Sequence, residues 1–249
     1  MKCIVNDSSF SIELASHESS RFGFACARAT NVDAKSIERM LEFCRNFNVR
    51  LLVAQCDTAN GTAIYRMEDA GFRIMDTQIN YRFRGLCLPM VDFKSFRFRN
   101  AAPTDEDVVG SIAQRAFADH VGHYNADARL NKSLIAEGYS EWARRTCTEP
   151  HIADVVILAE HDGQIAGFGV MRFLSEAETA GVIFAVEPAM QGDGIARMLL
   201  VKSLEWSIRH GRVASSHFVA LRNYPIQRVL VGLGFKPEES VHTFHKWMD

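Results

Sequence analysis

The residues best placed to do chemistry stand in one short stretch, Val186-Glu187-Pro188-Ala189-Met190-Gln191-Gly192-Asp193-Gly194-Ile195-Ala196. An apolar, strand-like run, Val182-Ile183-Phe184-Ala185-Val186, leads into it, and a helix-like run starts at Gly194. Pro188 has no N–H for a sheet ladder and ends the strand. Gly192 and Gly194 let the backbone turn tightly and leave its amides uncovered. The helix that follows points its N-terminus into the turn, with unpaired N–H groups and a partial positive charge. Strand, glycine turn and helix N-terminus together make a site for a phosphate or diphosphate. The stretch therefore predicts a nucleotide-like cofactor held by its diphosphate.

Spacing narrows the choice of cofactor. A dinucleotide fold would read G-x-G-x-x-G after the first strand, and a Walker loop would need Gly-Lys-Ser/Thr; neither occurs. Gln191-x-x-Gly194-x-Ala196, entered through Val-x-Pro, instead resembles the acyl-CoA signature of the GNAT N-acetyltransferase superfamily. That resemblance implies acetyl-CoA bound at Gln191, Gly192, Asp193, Gly194, Ile195 and Ala196. It implies that the preceding strand splays from its neighbour, with the pantetheine arm beside Phe184, Ala185 and Val186. Asn223 matches an asparagine that touches the cofactor arm in the family; its alternative role is the N-cap of the next helix. The family frame N-x-x-A-x-x-x-Y-x-x-x-G-F places a proton-donating tyrosine at position 230, where this chain has Leu230. Leucine has no proton to give, so Leu230 is expected to line the thioester pocket.

Acyl transfer to an amine also needs the amine deprotonated and the leaving thiolate protonated. Tyr124 and Tyr139, in the segment expected to face the acceptor, are the candidate proton donors, with solvent as the alternative. Asp76, Glu178 and His217 are the candidate bases, each with a plain alternative as a solvated charge or a satisfied strand histidine, and a water chain could replace them. Asp76 is the carboxylate expected to orient the ammonium.

The elements that must position these groups show an internal repeat. Val49–Ala54, Asn60, Gly71-Phe72 and Tyr81 recur as Arg212–Val219, Asn223, Gly234-Phe235 and Phe244, the last four positions all displaced by 163 residues. Each copy reads as strand, Asn-capped helix, Gly-Phe turn and strand. The first copy lacks a Gln-x-x-Gly-x-Ala turn. The chain therefore divides into a truncated GNAT-like half over 1–92 and a complete catalytic half over 93–249. In the second half, 96–99 alternates like a strand and Pro103–Asp107 starts a helix that continues over 108–118. Ser140–Thr146 reads as helix, 155–159 and 165–173 as strands joined by an Asp162-Gly163 hairpin turn, and 178–186 as the next strand. Leu200, Leu204 and Ile208 form an apolar row on the helix after the glycine turn. The expected class is α/β (α+β): a mixed, mostly antiparallel sheet flanked by helices, the GNAT acyl-CoA fold in tandem. The last strands of the two halves are expected to lie side by side with the acceptor held between the halves.

Composition sets the outer bounds. The 249 residues carry 28 basic and 30 acidic side chains, so the net charge of −2 offers no general attraction to nucleic acid or an anionic membrane. No apolar run approaches the roughly 18 residues of a spanning helix, and the start, MKCIVNDSS, is too polar for a signal peptide. The cysteines, Cys3, Cys26, Cys44, Cys56, Cys87 and Cys147, include no C-x-x-C pair, which argues against a metal site or disulfide framework and for reduced thiols in a cytoplasm.

Further stretches resemble one GNAT branch, the dTDP-4-amino-4,6-dideoxygalactose (dTDP-fucosamine) N-acetyltransferases. They are Glu18–Phe24, Ala70–Thr77, His123-Tyr124-Asn125-Ala126-Asp127 and Tyr139-x-x-Trp142. The resemblance implies a nucleotide-linked amino sugar as acceptor and an acidic residue near Asp76 beside its amine. The expected function is acetyl-CoA-dependent N-acetylation of a small primary amine, without nucleic-acid or membrane partners and with a homodimer allowed. The alternatives are acetylation of an amino acid, a drug-like amine or a protein N-terminus, or a CoA-binding module without catalysis.

Overall fold

In the computed structural model, which describes residues 4–7, 10–120 and 122–248, Cys3 and the rest of the polar N-terminal stretch (1–3, 8 and 9) lie outside the described residues. The chain begins with β1 (Ile4–Asp7), β2 (Phe10–Leu14), α1 (Ser16–Phe22), β3 (Cys26–Thr30), α2 (Ser36–Asn46), β4 (Leu51–Asp57), α3 (Gly61–Asp69) and β5 (Arg73–Arg84). It continues with β6 (Arg97–Asn100), α4 (Glu106–Ala116), α5 (His123–Ala126), α6 (Lys132–Thr148), β7 (Val155–His161), β8 (Gln164–Phe173) and β9 (Glu178–Val186). It ends with α7 (Ile195–Arg209), β10 (Ala214–Ala220), α8 (Tyr224–Gly232) and β11 (Lys236–Trp247). No helix among the described residues is long and apolar enough to cross a membrane.

Two compact units share these elements. The first comprises Met1–Ile79, Val121–Ile135 and Glu239–Asp249; the second comprises Asn80–His120 and Ala136–Glu238. In the first unit the strand order is β1-β2-β3-β4-β11, antiparallel except for the β3/β4 pair. Its core, around Met40, Phe43, Met67 and Phe244, is fully or almost fully buried. In the second unit the order is β5-β10-β9-β8-β7-β6, antiparallel along β9-β8-β7-β6 and parallel between β9 and β10. β5 and β11 each begin in one unit and end in the other. The fold is the mixed, mostly antiparallel α/β architecture expected from the sequence.

The repeat extends to element boundaries. Leu51–Asp57 recurs as Ala214–Ala220, Gly61–Asp69 as Tyr224–Gly232 and Arg73–Arg84 as Lys236–Trp247, every bound displaced by 163 residues. The Gly after each helix, Gly71 and Gly234, takes φ of 77° and 88°, the left-handed conformation that lets the chain reverse into the next strand. The Asp162-Gly163 turn forms as its sequence dictates, both residues having positive φ, at 49° and 76°.

α6 is longer than the Ser140–Thr146 helix expected. Its buried positions include Gly138, Ser140, Ala143 and Thr146, small or polar residues that hide the apolar period. Ser140 and Thr146 satisfy their hydroxyls on backbone carbonyls, Ser140 Oγ donating to Gly110 O at 2.9 Å and Thr146 Oγ1 to Ala143 O at 2.6 Å. α7 buries a wider stripe than one row: Leu200 and Leu204 are buried with Ile195, Met198, Leu199 and Val201, and Ile208 is half-buried.

Candidate cofactor and acceptor site

β9 is bent by one residue. Val170 of β8 faces Ile183, but Met171 faces Gly181, so Val182 is an extra residue without a β8 partner. Such a bulge kinks and twists the strand that carries it. On the other edge of β9, parallel pairing with β10 runs from Glu178↔Ala214 to Gly181↔His217 and goes no further, although β9 continues to Val186 and β10 to Ala220. The two strands part at the bulge. Phe184, Ala185 and Val186 lie on the parted segment. The ring of His217 fills the space that a Cβ on Gly181 would need, and the ring of Phe184 fills that over Gly169. The two rings sit 5.3 Å apart.

Beyond Val186 the chain makes a single helical turn at Pro188–Met190 and enters the glycine turn. Gln191, Gly192, Asp193 and Gly194 are exposed, whereas Ile195 is buried and Ala196 half-buried. Gly192 and Gly194 take φ of 100° and 84°, with open space where a Cβ would stand. Gly194 is the N-cap of α7, whose 15 residues aim their first amides at the turn. Lys94, which nothing in the sequence singles out, donates from Nζ to the Asp193 carbonyl at 3.1 Å. It sits in a left-handed conformation, φ 49°, its amide bonded to Asp92 Oδ1 at 2.9 Å. The link spans 99 residues of chain and involves no motif, so only the fold brings the ammonium to the turn.

Asn223 occupies the N-cap position of α8, but no side-chain hydrogen bond caps that helix. Pro225 at the second position removes one of the two N–H groups that such a cap could serve, leaving that of Ile226. Its repeat counterpart Asn60 does cap α3, accepting from the Ala63 amide at 3.2 Å. Leu230 is completely buried. His217 is buried, its Nε2 3.3 Å from Ser215 Oγ, and burial pushes its imidazole down to about 4, so it is neutral near pH 7. Glu178 pairs with Arg82 Nε at 2.8 Å and accepts from Ser216 Oγ, which commits it to a structural network.

Of the proton-handling candidates, Tyr139 lies in the second unit with the glycine turn, its ring stacked on Phe117 at 4.8 Å. Asp76 and Tyr124 lie in the first unit. Asp76 Oδ1 accepts from the Thr77 amide at 2.8 Å, while Oδ2 is buried without a partner among the described residues. Burial raises the Asp76 carboxyl above its ordinary value. The Tyr124 hydroxyl donates to Glu18 Oε1 at 3.2 Å and stands 3.5 Å from Arg28 Nη2. Burial pushes its phenol well above the ordinary value. Among the described residues no group of three or more His, Cys, Asp or Glu side chains is arranged to hold a metal ion.

Residues 123–235 match the model of the acetyltransferase (GNAT) family. No curated protein matches the sequence. The fold is similar to that of a GCN5-related N-acetyltransferase from Kribbella flavida, at 15% identity and a TM-score of 0.68, with 98% of this chain and 89% of that one covered. It is similar to a GCN5-related N-acetyltransferase from Sphaerobacter thermophilus, at 13% identity and a TM-score of 0.65, covering 96% and 76%. A tandem GNAT protein from the clavulanic acid biosynthesis pathway gives 15% identity and a TM-score of 0.60, covering 98% and 81%. These likenesses carry the fold, and over residues 123–235 the chain is similar to the acetyltransferase (GNAT) family, which uses acetyl-CoA as its acetyl donor.

Proposed function

We propose that the protein N-acetylates a primary amine of a small molecule, with the cofactor's diphosphate at Gln191–Ala196 and its pantetheine arm in the parting of β9 and β10. The observation that carries this reading is the end of the β9/β10 ladder at Gly181↔His217, beside a helix N-terminus with two glycines open to solvent. Strand edges in such a gap keep unpaired N–H and C=O groups, which suit the amide-bearing pantetheine arm. When bound, acetyl-CoA supplies an activated acetyl group. The chain's own residues hold and orient it: the α7 amides and Lys94 face the diphosphate, Asn223 offers an uncommitted amide to the arm, and Leu230 packs behind the thioester.

The acceptor side of the proposal rests on Asp76, whose buried, unpartnered Oδ2 suits an ammonium. Tyr139 is the proton donor for the thiolate, because it shares a unit with the turn, whereas the Tyr124 proton is held by Glu18. A nucleotide-linked amino sugar is the first acceptor to try. Its support is the sequence of 18–24, 70–77, 123–127 and Tyr139-x-x-Trp142 alone; an amino acid, a drug-like amine or a protein N-terminus is the alternative. The division into a truncated half over 1–92 and a complete half over 93–249 belongs to the same reading, supported by the 163-residue repeat and by the presence of the glycine turn in the second copy only.

Gly194→Asp tests the cofactor site. It places a carboxylate where the diphosphate sits, and calorimetry should show acetyl-CoA affinity reduced at least tenfold with an unchanged circular dichroism spectrum. Unaltered affinity would sink the assignment. A thiol-release assay over a panel of amines then identifies the acceptor class. Asp76→Asn, which keeps shape and removes charge, should lower kcat/KM for the amine and leave acetyl-CoA binding intact.

A further inference from the structure

Beside the glycine turn, the second unit brings together two guanidinium groups that none of the roles above uses. Arg197 is the third residue of α7 and is half-buried. Its Nη1 lies 3.7 Å from the point where a Cβ on Gly232 would stand, so the side chain leaves α7 and lies against the last turn of α8. Glycine at 232 leaves the guanidinium uncovered on that side. Arg228 stands four residues before Gly232, on the same face of α8. It is exposed, and its long stem can carry its guanidinium to the same point.

Neither side chain is committed elsewhere. Among the described residues, Arg197 and Arg228 make no side-chain hydrogen bond and no ion pair. Other arginines of the second unit do: Arg82 pairs with Glu178, Arg84 with Glu238 and Arg115 with Glu187. Asp193, four residues before Arg197 in the glycine turn, is exposed and does not pair with it. Like charges at neighbouring positions repel, so an anion between the two groups stabilises both. A guanidinium stays charged at every working pH, and its parallel N–H groups match the oxygens of a phosphate.

Position selects which phosphate this is. The first amides of α7 and the Lys94 ammonium face the diphosphate. Arg197 belongs to the same first turn, but its guanidinium sits to the side, against α8. Acetyl-CoA carries a third phosphate on the 3′ oxygen of the ribose whose 5′ oxygen bears the diphosphate. That phosphate is tethered a few bonds from the diphosphate, and as a monoester it approaches two negative charges near pH 7.

We propose that Arg197 and Arg228 bind the 3′-phosphate of acetyl-CoA and make the protein select the 3′-phosphorylated cofactor. The proposal rests on the cofactor reading given above, and two ligands keep the two claims separable. Calorimetry on the full chain compares acetyl-CoA with acetyl-dephospho-CoA, which lacks only that phosphate. The wild-type protein should bind acetyl-CoA roughly 10-fold or more tightly at low salt, and the difference should narrow as salt rises. Arg197→Ala should remove most of the difference by weakening acetyl-CoA binding while leaving acetyl-dephospho-CoA binding unchanged. Arg197→Lys should keep part of it, and Arg228→Ala should remove a smaller part. Gly232→Glu sets a carboxylate beside both guanidinium groups and should also abolish the preference, with both arginines still present. Circular dichroism confirms that each variant is folded. Equal wild-type affinity for the two ligands would overturn the proposal and leave the cofactor reading standing. An Arg197→Ala variant that loses affinity for both ligands alike would also overturn it, because Arg197 would then serve the diphosphate. Failure of the wild-type protein to bind either ligand would overturn the cofactor reading itself.

Discussion

At the scale of single residues, burial decides what a side chain can do. His217 stands at the last paired rung before β9 and β10 part, and its imidazole is pushed down to about 4 by burial. The unfolded chain has an ordinary histidine there, so between about pH 6.5 and 4 the unfolded state binds a proton that the native state refuses. His217 therefore adds a term that weakens the fold as pH falls through that window, up to about 3 kcal/mol in total. His217→Asn should flatten the wild-type decline in stability between pH 7 and pH 4, read by urea denaturation across pH. Leu230 differs in kind: it is completely buried and cannot titrate. Leu230→Ala should cost about 2–5 kcal/mol through the cavity it leaves and should leave the pH dependence of turnover unchanged.

At the scale of elements, the two repeat copies differ where function would require it. Asn60 caps α3 through its side chain, but Asn223 makes no such bond to α8. Asn60→Ala should cost about 1 kcal/mol of stability and leave acetyl-CoA binding untouched. Asn223→Ala should change stability little and weaken acetyl-CoA binding, and a thermal melt beside calorimetry separates the two outcomes. The bulge at Val182 lies in the antiparallel β8/β9 ladder; the antiparallel β2/β3 ladder of the first unit pairs in regular register from Ser11↔Thr30 to Leu14↔Ala27. Lys94 acts at this scale as well. Lys94→Ala removes one cation from the turn, so it should weaken acetyl-CoA binding severalfold at low salt and less at high salt.

For the whole molecule, the compact units and the repeat halves are different partitions of one chain. Residues Val121–Ile135 and Glu239–Asp249 pack with Met1–Ile79 in the first unit. Seven residue pairs join β11 to β4, from Val241↔Asp57 to Trp247↔Leu51. A fragment covering 93–249 keeps the glycine turn and loses β4, so Phe244 and His245, both buried in the full chain, would face water. Expressed alone, that fragment should be insoluble or unfolded. A soluble 93–249 fragment with full activity would show that the first 92 residues are dispensable.

The sequence by itself determined the features whose physics is local. The glycine turn, the hairpin at Asp162-Gly163, the Asn60 cap and the 163-residue repeat are all readable because φ > 0, capping and strand alternation depend on neighbours in the chain. The fold class followed from the order of those elements. α6 was legible only over Ser140–Thr146, because Gly138, Ser140, Ala143 and Thr146 stand beside Ile135 on its buried face and interrupt the apolar period. Tertiary structure alone decided the bulge that parts β9 from β10, the approach of Lys94 to Asp193, and the pairing of Asp127 with His245. Each joins groups far apart in sequence, and the last spans 118 residues between Asp127 and His245. Long-range packing sets such contacts, and no spacing rule in the chain encodes them.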